Sequence, residues 1–307
     1  MKQNGRNRTV IDQVGCLPIR RFNKMEVHKY HALGNDYLVY DPKFNPMELN
    51  EERIKLICDR NFGVGSDGIL YGPEFRDGKP VVRIFNPDGG EAEKSGSGVR
   101  IFSKYLKDAG YVTEQKFTLI TLGGEVLVEF LNESGDYLKV LMGKTTYRSV
   151  EIPVAGPDRM VIDEPMEFNG NTYKVTCVSI GNPHCVIPME EISKELACEL
   201  GPHVEHSKNF PNRINMQLLE VLDRSNIRIE IYERGAGYTL ASGTSSCASA
   251  SAAYKLGLVD RNVTVHMPGG QLKIEILPDE SVFMTGHVHR VGVTRFSEEF
   301  TEDLAGL

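Results

Sequence analysis

No stretch of this sequence approaches the ~18 consecutive apolar residues that a membrane-crossing helix requires. Basic residues are not in surplus either. The 35 Lys and Arg stand against 42 Asp and Glu, a net charge of −7, so no basic field advertises nucleic acid as a partner. The six cysteines, Cys16, Cys58, Cys177, Cys185, Cys198 and Cys247, form no CxxC pair and no disulfide-like spacing. Reduced thiols in a cytoplasmic protein are the expectation. What is present is ordinary: 40% hydrophobic and 25% charged residues in a chain of 307. That is the balance of a globular protein with a sizeable core, in two domains or one large one.

Residues 1–24 differ from the rest, with Lys2, Arg6, Arg8, Arg20, Arg21 and Lys24 against the single acid Asp12. They contain no apolar h-region, so they do not read as a secretory signal. A basic, loosely ordered extension is expected here, with the folded body starting near Met25.

The body is written twice. Gly34-Asn35 recurs as Gly181-Asn182, 147 residues on, and Asn86, closing VVRIFN, recurs as Glu233, closing IRIEIYE. Ser95-Gly96 recurs as Ser242-Gly243 and Gly110 as Gly257, at the same offset of 147. Four landmarks in one register make an internal repeat. The expected halves are 25–145 and 146–290, divided within the Pro- and Gly-containing stretch 143–171, with a tail over 291–307.

Alternation of apolar and polar residues predicts strands over 81–85 and 227–232. Further strand-like runs are 117–122, 126–130, 138–142, 173–180, 217–222, 263–267, 272–277 and 282–288. Helices are expected over 51–60, 97–108 and 244–256, the first opening on Glu51 and Glu52. The second carries Val99, Phe102 and Leu106 on one face. Many strands and few helices define an α+β protein in which each half wraps a mixed sheet around a central helix.

Both Ser-Gly elements sit immediately before a helix. The local reading is an N-cap, with Ser accepting from the helix and Gly allowing the turn. The functional reading adds that the free N–H groups of Gly96, Ser97 and Gly98, and of Gly243, Thr244 and Ser245, make two positive helix ends. If the halves close on one another, both ends face one cleft. A carboxylate would be gripped there by backbone donors, and a carbanion beside it stabilised as an enolate-like charge.

The segments HALGNDYLVYD, NFGVGSDGIL, FNPDGGEAEKSGSGVR, GNPHCV, FPNRIN and ERGAGYTLASGTSSCA, in this order, resemble the diaminopimelate epimerases over nearly the whole chain from about residue 26. The resemblance implies a pair of pseudo-symmetric, barrel-like domains and racemisation of an α-carbon without pyridoxal phosphate, metal or other cofactor. In that family one cysteine thiolate removes the α-proton and a second cysteine thiol delivers a proton to the opposite face. It implies further that Ser95 and Ser242 occupy the catalytic positions and that Asn35, Asn86, Asn182, Asn215, Glu233 and Arg234 line the cleft. Glu233 and Arg234 would take the far amino and carboxylate groups of a diamino diacid, while Gly96, Ser97, Gly243 and Thr244 surround the reacting carboxylate. The expected substrate is LL-2,6-diaminopimelate going to the meso form, with a homodimer as an open possibility and with neither nucleic acid nor membrane as a partner.

The departure from the family lies at the centre of the chemistry, because both cysteine positions are serine here, and Ser97 replaces a frequent Asn. A serine hydroxyl is far less acidic than a thiol and needs a neighbouring base. Three readings stay open: serines introduced to disable an enzyme, a natural enzyme working through activated hydroxyls, and a non-catalytic amino-acid binder. A racemase of another amino acid on the same fold is a further alternative. His184 reads as a neutral hydrogen-bonder or as a substitute base. A Lys94–Ser95 dyad is disfavoured because neighbours on a strand point to opposite sides. Gly63-x-Gly65-x-x-Gly68 follows a helix and precedes a strand, the reverse of a dinucleotide site.

Overall fold

The computed structural model describes residues 25–307; the extension expected over 1–24 lies outside the described residues. The first half opens with the hairpin of β1 (Glu26–Ala32) and β2 (Asn35–Tyr40). Helix α1 (Glu51–Cys58), β3 (Ile69–Arg76), β4 (Lys79–Phe85) and the short β5 (Glu91–Ala92) follow. Helix α2 (Gly96–Asp108) then leads to β6 (Lys116–Thr121), β7 (Gly124–Phe130) and β8 (Tyr137–Lys144).

The second half repeats the series. It runs through β9 (Glu164–Phe168), β10 (Asn171–Ser179), β11 (Pro183–Pro188), α3 (Lys194–Glu205) and β12 (Asn215–Asp223). It continues with β13 (Asn226–Glu233), β14 (Gly237–Thr239), α4 (Gly243–Lys255), β15 (Asn262–Met267), β16 (Gly270–Ile276) and β17 (Ser281–His287). Strand β18 (His289–Arg295) and helix α5 (Glu298–Ala305) end the chain. Helices α2 and α4, 13 residues each, stand 147 residues apart from first residue to last.

Hydrogen bonding gives the strand order β18-β1-β2-β3-β4-β6-β7-β8 in the first half. In the second it gives β9-β10-β11-β12-β13-β15-β16-β17. Parallel pairs β2–β3, β4–β6, β11–β12 and β13–β15 among antiparallel ones make both sheets mixed. The halves join where β8 runs antiparallel to β17, from Lys144↔Ser281 to Tyr137↔His287. Strand β18 returns to β1, as β9 lies beside β10, so the last strand of the chain completes the first half.

Each central helix is capped and stopped as its sequence dictates. Ser95 Oγ accepts from Gly98 N–H at 3.0 Å and Ser242 Oγ from Ser245 N–H at 3.3 Å. Gly110 and Gly257, with φ of +74° and +75°, turn the chain out of the two helices in the left-handed conformation that glycine adopts without strain. One core cluster runs through both halves around these helices, joining Val99, Phe102 and Leu106 of α2 to Ala248 and Ala252 of α4. Two outer clusters lie under the remaining helices, one beneath α1 and α5 and the other beneath α3.

The helix ends meet at glycine because nothing larger fits. A Cβ on Gly96 would stand 3.2 Å from Gly243 Cα and 3.0 Å from Met284 Cε. One on Gly243 would stand 2.9 Å from Met284 Sδ. A side chain at either position would force the two helix ends apart, or displace Met284.

The sequence reading missed α3 and α5. Gly201 and Pro202 interrupt α3, and both lower helix propensity. Gly201 is there for packing, since a Cβ would meet the Tyr232 ring at 2.2 Å. Ser193 and Ser297 cap the two helices, the signal that was available. Strands β1, β2, β3, β11 and β18 also escaped the pattern, and residues 291–307 form most of β18 and all of α5 rather than a plain tail.

Candidate active site

The N-termini of α2 and α4 open into one cleft of about 860 Å³ between the halves. All of Asn35, Asn86, Ser95, Gly96, Ser97, Asn182, Asn215, Glu233, Arg234, Ser242, Gly243 and Thr244 line it. One expectation is corrected. Gly98 and Ser245 do not offer free N–H groups, because those donors close the serine caps. The donors left over in each first turn are Gly96 and Ser97 on α2, and Gly243 and Thr244 on α4.

The two serine hydroxyls have different surroundings. Ser95 Oγ lies 3.2 Å from the Tyr37 hydroxyl. Ser242 Oγ lies 3.5 Å from Thr244 Oγ1 and faces the carboxyl of Glu233. Burial pushes the Glu233 pKa up from the usual carboxylate value, while the hydroxyls of Ser242 and Thr239 pull it partway back. Thr239 Oγ1 is buried without a hydrogen-bond partner. A carboxyl with a raised pKa is a stronger base than an exposed one once it is ionised.

The walls are held from behind. Asn35 donates to Asp67 at 2.9 Å, and Arg60 ties Asp67 to Asp36 with two contacts of 2.7 Å. Asn182 donates to Thr244 Oγ1 at 3.3 Å, fixing its turn to the start of α4. Asn215 lines the cleft with both ends of its amide engaged. It accepts from Arg234 N–H at 2.9 Å and donates to the Pro183 carbonyl at 2.8 Å. The guanidinium of Arg234 donates to the Asn212 carbonyl at 3.2 Å. Asn86 stands exposed at the mouth, where its N–H closes a turn on the Gly90 carbonyl.

Sequence reasoning missed four contributors: Tyr37, Arg60, Asp67 and Glu205. Glu205, buried at the end of α3, accepts from Gly235 N–H at 2.9 Å and so anchors the loop that carries Arg234. Arg60 and Asp67 sit within or beside segments already singled out, but nothing in their spacing showed that they meet. Lys94 turns its ammonium to the Met142 carbonyl and forms no dyad with Ser95. His184 is fully buried, and burial lowers its pKa to about 3. A base that weak is a structural hydrogen-bonder at neutral pH.

Two sheet-wrapped halves whose central helices aim their N-termini at a shared cleft form an architecture that this chain shares with solved epimerases and with a methylitaconate-delta-isomerase. A predicted epimerase from Pseudomonas aeruginosa superposes with a TM-score of 0.61 at 17% identity, covering 89% of this chain and 99% of that one. A hydroxyproline epimerase from Agrobacterium vitis gives 0.65 at 13% identity, covering 90% and 91%. At such identities the likeness is one of fold.

Sequence narrows the class to one family. The family described as diaminopimelate epimerase matches residues 27–148 and 176–291. Diaminopimelate epimerase 2 of a Nostoc species is 50% identical over 276 residues, 90% of this chain and 96% of that protein. The diaminopimelate epimerase of Moorella thermoacetica is 38% identical over 266 residues, 85% and 95%. The chain belongs to the diaminopimelate epimerase family, a family of isomerases.

Proposed function

We propose that this chain epimerises an α-amino acid without a cofactor, interconverting LL- and meso-2,6-diaminopimelate. The observation that carries the reading is the meeting of two serine-capped helix N-termini, at Gly96 and Gly243, inside one cleft. A substrate α-carboxylate between them would accept from Gly96, Ser97, Gly243 and Thr244. Its α-carbon would then lie between Ser95 and Ser242, one hydroxyl for each face. As the α-proton leaves, charge moves onto the carboxylate, where the same backbone donors stabilise it without rearranging. Glu233 supplies the base that Ser242 needs, because a serine hydroxyl loses its proton only to a neighbouring acceptor. Arg234, held by Asn215 and Asn212, presents a guanidinium to the far carboxylate of a diacid.

The reading is tested by NMR of the α-proton of LL- or meso-diaminopimelate in D₂O. The signal fades with the protein, and the Ser95→Ala and Ser242→Ala variants slow the loss at least about 100-fold. Exchange that persists in both variants would remove the serines from the chemistry. Exchange with other amino acids but not with diaminopimelate would move the assignment to another racemase.

A cytoplasmic location and assembly as a homodimer go with this reading. The second is supported by β18, whose outer edge is unpaired among the described residues and exposes Val291 (60%) and Val293 (41%); such an edge invites pairing. Sedimentation velocity at micromolar concentration should show a dimer, which Val291→Lys dissociates, and a monomeric parent chain would refute it.

A further inference from the structure

The two serines part company at one pair of positions in the repeat. Tyr37 and His184 are 147 residues apart, each two residues past the Asn of its turn, on β2 and β11. His184 turns its ring nitrogens to Gln217 and Asn182 and does not bond Ser242. Tyr37 behaves otherwise. Its hydroxyl lies 3.2 Å from Ser95 Oγ and has no other hydrogen-bond partner among the described residues. We propose that Tyr37 is the positioning residue that sets the proton of Ser95, its phenol donating to Oγ so that the serine's own O–H points into the cleft.

The argument is one of available sites. A serine oxygen accepts two hydrogen bonds and donates one. Gly98 N–H occupies one accepting site at 3.0 Å. If Ser95 donated to Tyr37, its proton would be held inside the wall and none would face a substrate. With Tyr37 as donor, both accepting sites are filled and the proton turns to the cleft. The phenol keeps its proton at neutral pH, since burial pushes its pKa up to about 12. Ser242 has no phenol beside it; its near neighbours are the Thr244 hydroxyl at 3.5 Å, which can donate or accept, and the Glu233 carboxyl. The Ser95 side of the cleft therefore carries a buried phenol, where the Ser242 side carries a carboxyl.

The consequence for catalysis rests on the epimerase reading; the geometry does not. When Ser95 delivers a proton, its O–H bond breaks, a C–H bond forms at the α-carbanion and the bonding pair stays on Oγ. Gly98 N–H and Tyr37 O–H then stabilise that alkoxide. In the reverse direction the same alkoxide takes the α-proton back, and no other reactant is required.

A thiol at position 95 reports on this hydrogen bond whether or not the protein turns anything over. In the Ser95→Cys variant, the rate of alkylation by iodoacetamide against pH, followed by mass spectrometry of that peptide, gives the thiol pKa. Adding Tyr37→Phe removes only the phenol oxygen. Loss of a donor to the thiolate raises that pKa by about one pH unit, a tenfold loss of thiolate at neutral pH. In the chain with Ser95 intact, Tyr37→Phe lowers kcat for α-proton exchange about tenfold and leaves KM and Tm nearly unchanged. An unchanged thiol pKa, or an unchanged kcat in an active protein, overturns the proposal. A raised thiol pKa in a protein that exchanges no α-protons upholds the donor role of Tyr37 and removes the epimerase reading instead.

Discussion

In the Ser95→Cys/Ser242→Cys double variant, α-proton exchange on diaminopimelate runs about 10²–10⁴ times faster than in the parent chain. The site loses little shape in the exchange, because thiol and hydroxyl are nearly isosteric and both positions are fixed by the first turn of a helix. What changes is acidity. A free thiol with a pKa near 8.5 is a few per cent ionised at neutral pH, and a helix N-terminus lowers that value further. The hydroxyls must instead rely on Tyr37 and Glu233. Each single variant gains far less than the double one, because the remaining serine still limits the transfer on its own face. Stability moves the other way. Cysteine is a poorer N-cap than serine, and weakening two caps costs about 1–2 kcal/mol in total, read as a lower denaturation midpoint. A gain below tenfold in the double variant would show that proton transfer at these two positions does not limit the rate.

Some of this arrangement was legible in the chain and some was not, for identifiable reasons. The repeat was readable because Gly34-Asn35, Ser95-Gly96 and Gly110 serve backbone geometry, and backbone geometry tolerates few residue types. Their partners at Gly181-Asn182, Ser242-Gly243 and Gly257 had to match in kind. Helix α3 was hidden because its packing against Tyr232 demands a glycine, and Pro202 follows, so local propensity argued against the element that tertiary contact enforces. The cleft lining was readable through the family resemblance, residue by residue. The residues that hold the lining were not. Glu205 lies 30 positions from Gly235 and Asp67 lies 32 from Asn35, and hydrogen bonds at such separations leave no period in a sequence. The return of β18 to β1 was likewise invisible, for strand pairing between the two ends of a chain follows from the overall topology and not from any local signal.

Stability falls as pH drops below 6.5, and His184 is the main cause. Its ring has no exposure to solvent and sits between Gln217 and Asn182, with contacts of 3.3 and 3.0 Å. A neutral imidazole carries one N–H, so only one of these amides can accept from it. Burial is the largest influence and lowers the pKa to about 3; a hydrogen bond to Gln217 opposes it, and the Arg234 charge adds to it. In the unfolded chain the ring titrates near 6.5. Between the two values the unfolded chain binds a proton that the folded chain refuses. The stabilisation is therefore complete above pH 6.5 and is lost progressively as pH falls toward about 3. The loss amounts to roughly 3–6 kcal/mol, about 1.4 kcal/mol for each pH unit. Glu233 works in the opposite sense, since its raised pKa favours the folded state as acid is added. His28 and His31, whose pKa values are also lowered by burial, act in the same sense as His184 at more open positions. Denaturant unfolding of the parent chain and of His184→Gln, at matched pH from 7.5 to 4.5, cancels these shared contributions. The difference in unfolding free energy between them should shrink steadily as pH falls from about 6.5. A difference that stays flat over that range would mean that His184 is protonated as readily inside the fold as outside it.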